Sequence, residues 1–362
     1  MKTNPSRLAL PALLVLGHAD CEHLGPKTIL ADRLPYNNAV ATSWQEQTLL
    51  NIVKLRYLDT PFFIDVAQIV GAYTVGEQVT PAVGVTPALF PHSTFTDHLV
   101  ANLAFQETFA DRPTISYTPQ TGAHFISNLT TPIPPERILF LIQAGYPADV
   151  VLPLAVDSIN GVRNRSVSGA QLREADPAFN HLVRTIRRAQ ISGDVGIRVE
   201  QDKDKKEATV FTFRPRPIDP DLARELAEMR KSLGLNPDQN EFRVVFGGVS
   251  RSPNEIAILT RSVLRILSEL STFVEVPPEH LASGIAPDIG DTDGDPEPPF
   301  RVFSCVKKPA DYLTAVCYEG HWFWIDKRDT RTKRTLGYLL VMLALAETGT
   351  REGLPVVTIS AN

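Results

Sequence analysis

The stretch VGIRVEQDKDKKEATVFTFRP (195–215) constrains the fold of this chain more than any other. Two alternating runs flank a turn of Asp and Lys, the pattern of a β-hairpin whose charged tip stays in water. Helical patterns stand on either side. Residues 177–192 place Phe179, Leu182, Val183 and Ile186 on one side and Arg184, Arg187 and Arg188, a solvated face, on the other. After Asp219 and Asp221, which favour a helix start, residues 222–233 form a second amphipathic helix ended by Gly234. A hairpin set between two helices breaks any steady βαβ alternation. The expected class is therefore α+β, mixed helices with largely antiparallel sheet, with room for two subdomains.

The rest of the chain mixes elements in the same way. Ser43-Trp44-Gln45-Glu46 reads as a capping box that starts a helix running to about Leu58, where Thr60-Pro61 stops it. FFIDVAQIVGAYTV follows as a strand, residues 76–91 as a Pro- and Gly-broken loop, and LVANLAFQETF with TISYTP as a hairpin turning at Asp111-Arg112-Pro113. Residues 121–145 are helical with a break at the prolines 132–135. DVVLPLAVDSING reads as a strand with a bulge or edge at Pro153. EFRVVFGGVSRSPNEIAILTRSVLRILSEL gives strand, Gly-Gly turn and helix, and the chain closes on FRVFSCV, YLTAVCY, HWFWID, a helix from Lys333 to Glu347, and LPVVTIS.

The N-terminus has the order of a secretory signal: Lys2 and Arg7, then the apolar LALPALLVL, then small residues. The run is too short to span a bilayer, which takes about 20 residues. Two exits compete. Cys21 is the lipidation candidate, but His18, Ala19 and Asp20 before it depart from a lipobox; Gly17 and Ala19 instead allow cleavage before Asp20. An N-terminal arm or buried helix of a cytosolic protein is the third reading. Domain organisation is read as an export signal (1–20), a tether without periodicity (21–40), an N-terminal α+β region (41–165) and a C-terminal α+β region (170–362) holding an acidic, Pro-rich loop at 277–299. With a net charge of -5 there is no basic field for nucleic acid.

Several places are candidates for chemistry. Gly248-Val249-Ser250-Arg251-Ser252 fits the spacing of a hydrolase nucleophile elbow, with Ser250 as nucleophile and His321 downstream, while Ser252 to Glu255 reads as a capping box that would start the helix too late for one. The same turn, with Arg251, offers amides to an anion. Asp291, Asp293 and Asp295 open like a calcium loop, but Pro296 and Val302 occupy the positions that need Gly and Glu, leaving an acidic loop. No histidine spacing fits a metal, and no cofactor is expected. Cys305 and Cys317 lie on consecutive strands, where a disulfide or two thiols are both open. In HWFWIDKRDTRTKRTLGYLL, Trp322, Trp324, Asp326, Lys327, Arg328, Asp329 and Arg331 crowd a strand-to-helix junction, either a recognition surface for an acidic partner, glycan or lipid headgroup, or a salt-bridged junction over core aromatics.

YNNAVATSWQEQTLLNIVKLRYLDTPFFIDV, YTPQTGAHFISNLTTPIPPERILFLIQAGYPADVVLPLAVDSINGVRN, SPNEIAILTRSVLRIL and HWFWIDKRDTRTKRTLGYLL resemble an uncharacterised family of bacterial cell-envelope proteins, usually lipoproteins by their leaders. The resemblance covers most of the chain after the signal. It implies a bacterial source and an envelope location, lipid-anchored or periplasmic, and carries no activity or catalytic residue. Typical members keep a fuller lipobox, so the departure at 18–20 bears on lipidation and not on export. The expected role is a non-catalytic interaction or structural component whose partner is an envelope protein, glycan or lipid and which meets the membrane only through an N-terminal lipid. A hydrolase at Ser250 and a ligand-binding module on the 322–334 surface are the alternatives.

Overall fold

The computed structural model describes residues 24–71, 73–85, 99–111, 113–168, 171–201, 207–215, 219–289 and 298–346. The expected export signal, Cys21, the Asp291–Asp295 loop and the final LPVVTIS lie outside them. By its contacts the chain divides into Met1–Trp44 and Gln45–Asn362. The fold is α+β, largely antiparallel with one parallel pair.

The first helix, α1 (Leu24–Arg56), begins far earlier than the capping box implies: Ser43 lies inside it, and residues 24–40, expected as a tether, are helical through Pro35. That first part has no apolar periodicity, and Ile29 and Leu34 are exposed. Among the described side chains, the later turns bury a face, with Leu49, Ile52 and Val53 inaccessible. The helix stops where expected, through a turn in which Leu58 takes a left-handed φ of 62°.

Next come β1 (Phe63–Val70), β2 (Tyr73–Val85), β3 (Leu99–Asp111) and β4 (Thr114–Gln120). The expected loop at 76–91 is strand as far as Val85. The expected β3–β4 hairpin is not formed either, because β3 pairs with β2 and β4 with β1. Val70 faces Thr114 in one pair and Tyr73 faces Asp111 in the other, and the two pairs form separate two-stranded sheets.

Three helices follow, α2 (Gly122–Thr130), α3 (Pro135–Gln143) and α4 (Ala148–Ala155). The stretch 148–155, expected as a strand, is helical, with Pro153 near its end, and only 156–159 continues as β5 (Val156–Ile159). An apolar run of this length cannot be assigned by periodicity alone. Gln190 fixes the corner before α4: its Nε2 donates to the carbonyls of Ile142 (2.7 Å) and Tyr146 (2.8 Å), and its Oε1 accepts from the Ala148 amide at 3.1 Å.

The main sheet takes β5, β6 (Val162–Arg163), β9 (Val195–Gln201), β10 (Glu207–Phe213), β11 (Glu241–Phe246) and β12 (Glu255–Thr260), in the order β6-β5-β12-β11-β10-β9. The regions expected on either side of 165–170 thus share one sheet. A small pair, β7 (Ser166–Ser168) and β8 (Gln171–Arg173), leads into α5 (Pro177–Ser192), and α6 (Pro220–Ser232) follows the β9–β10 hairpin, all three last elements as the sequence predicts. The α5 arginines are solvated and ion-paired: Arg187 with Asp149 at 3.4 Å and Arg188 with Asp219 at 2.8 Å. Beneath α3 to α6 the core meets the sheet through Leu139, Ile142, Leu152, Phe211, Met229 and Ile258, a gap with no polar lining for a ligand to bond.

The helix expected after the Gly-Gly turn is β12 instead, parallel to β11. The helix α7 (Val263–Ser271) starts only at Ser262, whose Oγ accepts from the Arg265 amide. Then come α8 (Pro278–Ala282), β13 (Phe303–Cys305), β14 (Thr314–Tyr318), β15 (His321–Ile325) and α9 (Thr330–Ala346). The last three strands form their own sheet in the order β13-β15-β14.

Candidate functional site

The three-stranded sheet has two unlike faces. Strand alternation sends Phe323 and Ile325 inward, both with no exposed surface, and leaves Trp322 and Trp324 on the other side, half-buried. Register places Phe303 and Ala315 opposite Trp324, and Cys305 and Cys317 opposite Trp322. The outer face is therefore aromatic. Phe303 lies 5.0 Å from Trp324, ring centre to ring centre. Two exposed cations sit over it: Arg301 is 4.7 Å above Phe303, and Lys308 Nζ is 4.9 Å from Trp322 and 5.3 Å from Tyr312. Each such contact is worth about 0.5–1 kcal/mol at an exposed site, enough to order the cations over the rings without hiding them.

The charged half of the same stretch is used differently. Asp326 Oδ1 accepts from the Arg328 amide at 2.8 Å and closes the turn. Asp329 caps α9: its Oδ1 accepts from the amides of Arg331 and Thr332, each at 3.0 Å, and its Oδ2 from the Thr332 hydroxyl at 2.6 Å. A carboxylate at that end offsets the nearby cations, which by themselves oppose the helix dipole. Lys327 Nζ donates to Asp311 Oδ1 at 2.5 Å, and this bond, with Lys327's charge, holds the Asp311 carboxyl below its ordinary range. The structure thus divides the expected surface, keeping Trp322 and Trp324 on an open face and spending Asp326, Lys327, Arg328 and Asp329 on the turn, the cap and the Asp311 pairs.

Cys305 and Cys317 are free thiols. The expectation of neighbouring strands fails because β15 lies between β13 and β14, so both cysteines face Trp322 from opposite sides. Two strand spacings come to about 9.5 Å, beyond the roughly 7 Å limit for a bridge. Burial pushes the Cys305 thiol up, away from reactivity, while Cys317 is exposed.

Ser250 and Arg251 lie in the loop 247–254. A nucleophile elbow needs a strand, a sharp turn and a helix, and here β12 takes the helix's place. The capping-box reading of 252–255 fails for the same reason: Ser252 Oγ accepts from the Asn254 amide at 3.2 Å, a turn contact before a strand. The anion-site reading also loses its helix N-terminus.

Sequence reading missed a polar cluster on the inner side of the three-stranded sheet. Tyr57, just past α1, shares a 2.7 Å hydrogen bond with His280 Nδ1. His280 meets the His321 ring edge-on at 4.7 Å, and His321 Nε2 is 3.0 Å from Glu279 Oε1. The Tyr318 hydroxyl donates to Asp59. Burial pushes the Tyr57 phenol up to about 12, and burial followed by Asp59 raises Tyr318, so both stay protonated at neutral pH. The cluster ties α1, α8 and the β14–β15 hairpin together. Among the described residues no group of three His, Cys, Asp or Glu side chains is arranged to hold a metal. Compared with known protein families, curated proteins and solved structures, the chain matches none.

Proposed function

We propose that this chain is an exported bacterial envelope protein that acts as a non-catalytic interaction component, with the outer face of β13-β15-β14 as its contact surface. The observation that carries the reading is the aromatic face itself: Phe303, Trp322 and Trp324 remain partly open to solvent beneath Arg301 and Lys308. Aromatic rings and arginine are what protein surfaces use as contact anchors, and the cations suit an acidic partner. The succession of basic, apolar and small residues at the N-terminus, together with the resemblance read from the sequence, is what supports export. The hydrolase reading at Ser250 lacks its elbow and is not favoured.

Cys317 makes the surface testable, because an exposed thiol stands beside Trp322 on the same sheet. The full-length protein is labelled with a maleimide in the presence of washed bacterial envelopes, and Cys317 is followed by peptide mapping. Bound envelope material is expected to slow its labelling about tenfold, equivalent to about 1.4 kcal/mol of protection, and Trp322→Ala/Trp324→Ala to abolish the protection. Equal labelling with and without envelopes sinks the proposed surface.

A further inference from the structure

The loop between β13 and β14 carries charge that the fold does not use. Val306 follows β13 directly and is 70 % exposed, and Lys307 and Lys308 beside it are exposed as well. Lys308 bends back over Trp322 and Tyr312, while Arg301, just ahead of β13, lies over Phe303 with its amide donating to Thr332 Oγ1 at 2.9 Å. Among the described residues, Arg301, Lys307 and Lys308 have no carboxylate at ion-pair distance. The acids nearby are engaged elsewhere. Asp311 is held by Lys327 at 2.5 Å and Arg328 at 3.4 Å. Glu275 Oε1 accepts from Ser304 Oγ at 3.4 Å at the β13 edge, and Glu319, in the β14–β15 turn, acts on Tyr57 and Tyr318 of the inner cluster. The outer face therefore keeps an excess of positive charge.

The arrangement of that charge separates the acidic partners it could meet. A sugar stacks on the open face of a ring, and here Arg301 and Lys308 already lie over Phe303 and Trp322. A small anion needs donors that converge on one point. Phe303 pairs with Trp324 and Cys305 with Trp322, so the two cations stand over rings two residues apart along the sheet, roughly 7 Å, with Val306 and Lys307 in the loop that leaves it. The positive charge is spread over a face and not gathered into a pocket.

A bilayer surface takes all of these groups at once. Trp and Tyr settle at headgroup level, Lys and Arg meet lipid phosphates, and an exposed aliphatic side chain reaches the acyl boundary. Trp322, Trp324 and Tyr312 are the aromatics here, Arg301, Lys307 and Lys308 the cations, and Val306 the aliphatic tip. We propose that the outer face of β13-β15-β14, with the loop 306–308, docks on the surface of a membrane that carries anionic phospholipid. This rests on the reading of that face as the contact surface and names its partner. It also gives the chain a membrane contact of its own, beside the N-terminal lipid expected from the sequence. Each Lys or Arg near such a surface adds about fivefold to the affinity, an effect that salt screens.

The test uses the full-length Cys21→Ser protein, so that no acyl chain competes, with phosphatidylethanolamine–phosphatidylglycerol vesicles and, beside them, phosphatidylcholine vesicles. Binding is read by flotation, and occupancy of the face by the rate at which a maleimide labels Cys317. The anionic vesicles are expected to carry the protein, to slow Cys317 labelling about tenfold and to lose both effects as salt rises, while phosphatidylcholine leaves the labelling unchanged. Lys307→Gln/Lys308→Gln, in an exposed loop, is expected to bind the anionic vesicles about 30-fold more weakly. Arg184→Gln/Arg251→Gln removes the same charge from α5 and the loop 247–254 and is expected to change binding by less than about twofold. Anionic vesicles that leave Cys317 labelling unchanged overturn the proposal, as does a Lys307→Gln/Lys308→Gln protein that binds as tightly as its parent. If whole envelopes still protect Cys317 in either case, the contact surface stands and its partner is a protein or glycan; if they do not, the contact surface falls as well.

Discussion

Arg261→Met is expected to cost about 3–5 kcal/mol of folding stability, the effect of removing one partner from a buried charged network. Arg261 is 1 % exposed. Its Nε donates to Asp157 Oδ1 at 2.8 Å, its Nη1 to the carbonyls of Pro153 at 2.9 Å and Leu154 at 3.3 Å, and its Nη2 to the carbonyl of Arg165. Methionine fills much of the volume but takes the guanidinium away from the Leu154 and Arg165 carbonyls and the Asp157 carboxylate, while the Pro153 carbonyl keeps its bond from Asn164 Nδ2 at 2.8 Å. Arg261→Lys is expected to recover only part of the loss, because a single ammonium cannot reach the partners that the planar guanidinium spans. Denaturant melts of the three proteins measure both; a loss under about 1 kcal/mol for Arg261→Met would show that water replaces the guanidinium there. Next door, Glu269 accepts from Arg165 and from the Val167 amide, so buried charge also holds the chain where it passes from α4 through β5 and β6 to β7.

Phe323→Ala is expected to have an effect of similar size, about 3–5 kcal/mol, from lost burial and the cavity left behind. Phe323 has no exposed surface, lies between Ser304 and Val316 in register, and meets Tyr57 edge-on at 6.0 Å. It is the peg that joins the three-stranded sheet to the end of α1. Its strand neighbour Trp324 supplies the comparison. Trp324→Ala, on the outer face, is expected to shift the same denaturant midpoint by no more than about a third as much, since only part of its area is withdrawn from water. Equal losses at the two positions would mean that the outer face is covered in the folded protein, contrary to the proposed contact surface.

The elements read correctly from sequence are those whose own side chains carry the period. The α5 and α6 helices and the β9–β10 hairpin each show their buried face within a dozen or so residues, so local pattern and tertiary packing agree. Where the reading failed, a local signal competed with something distant. DVVLPLAV has no period to separate a strand from a short buried helix, and Pro153 pointed the wrong way. Ser252 to Glu255 spells a capping box yet precedes β12, whose residues are claimed by pairing with β11 and β5. Cys305 and Cys317 are consecutive in strand order but not in space, because β15 inserts between them. Of the candidate site, the aromatic pair was legible from strand alternation and the capping role of Asp329 was not separated from the charges around it. Arg261 is not singled out by the sequence; its partners are 96 to 108 positions away, and no local pattern reports them. The β2–β3 pair was concealed by its glycines and Pro81, which read as a loop because the strand that pairs with them is distant in sequence.

The central claim, that the chain works in the bacterial envelope, is most directly tested by the intact mass of the mature protein recovered separately from membrane, periplasm and cytosol of a bacterial host. The account predicts a chain that has lost its leader, beginning either at a diacylglyceryl-modified Cys21 in the membrane fraction or at Asp20 outside the cytosol. An uncleaved chain beginning at Met1 and confined to the cytosol would contradict it.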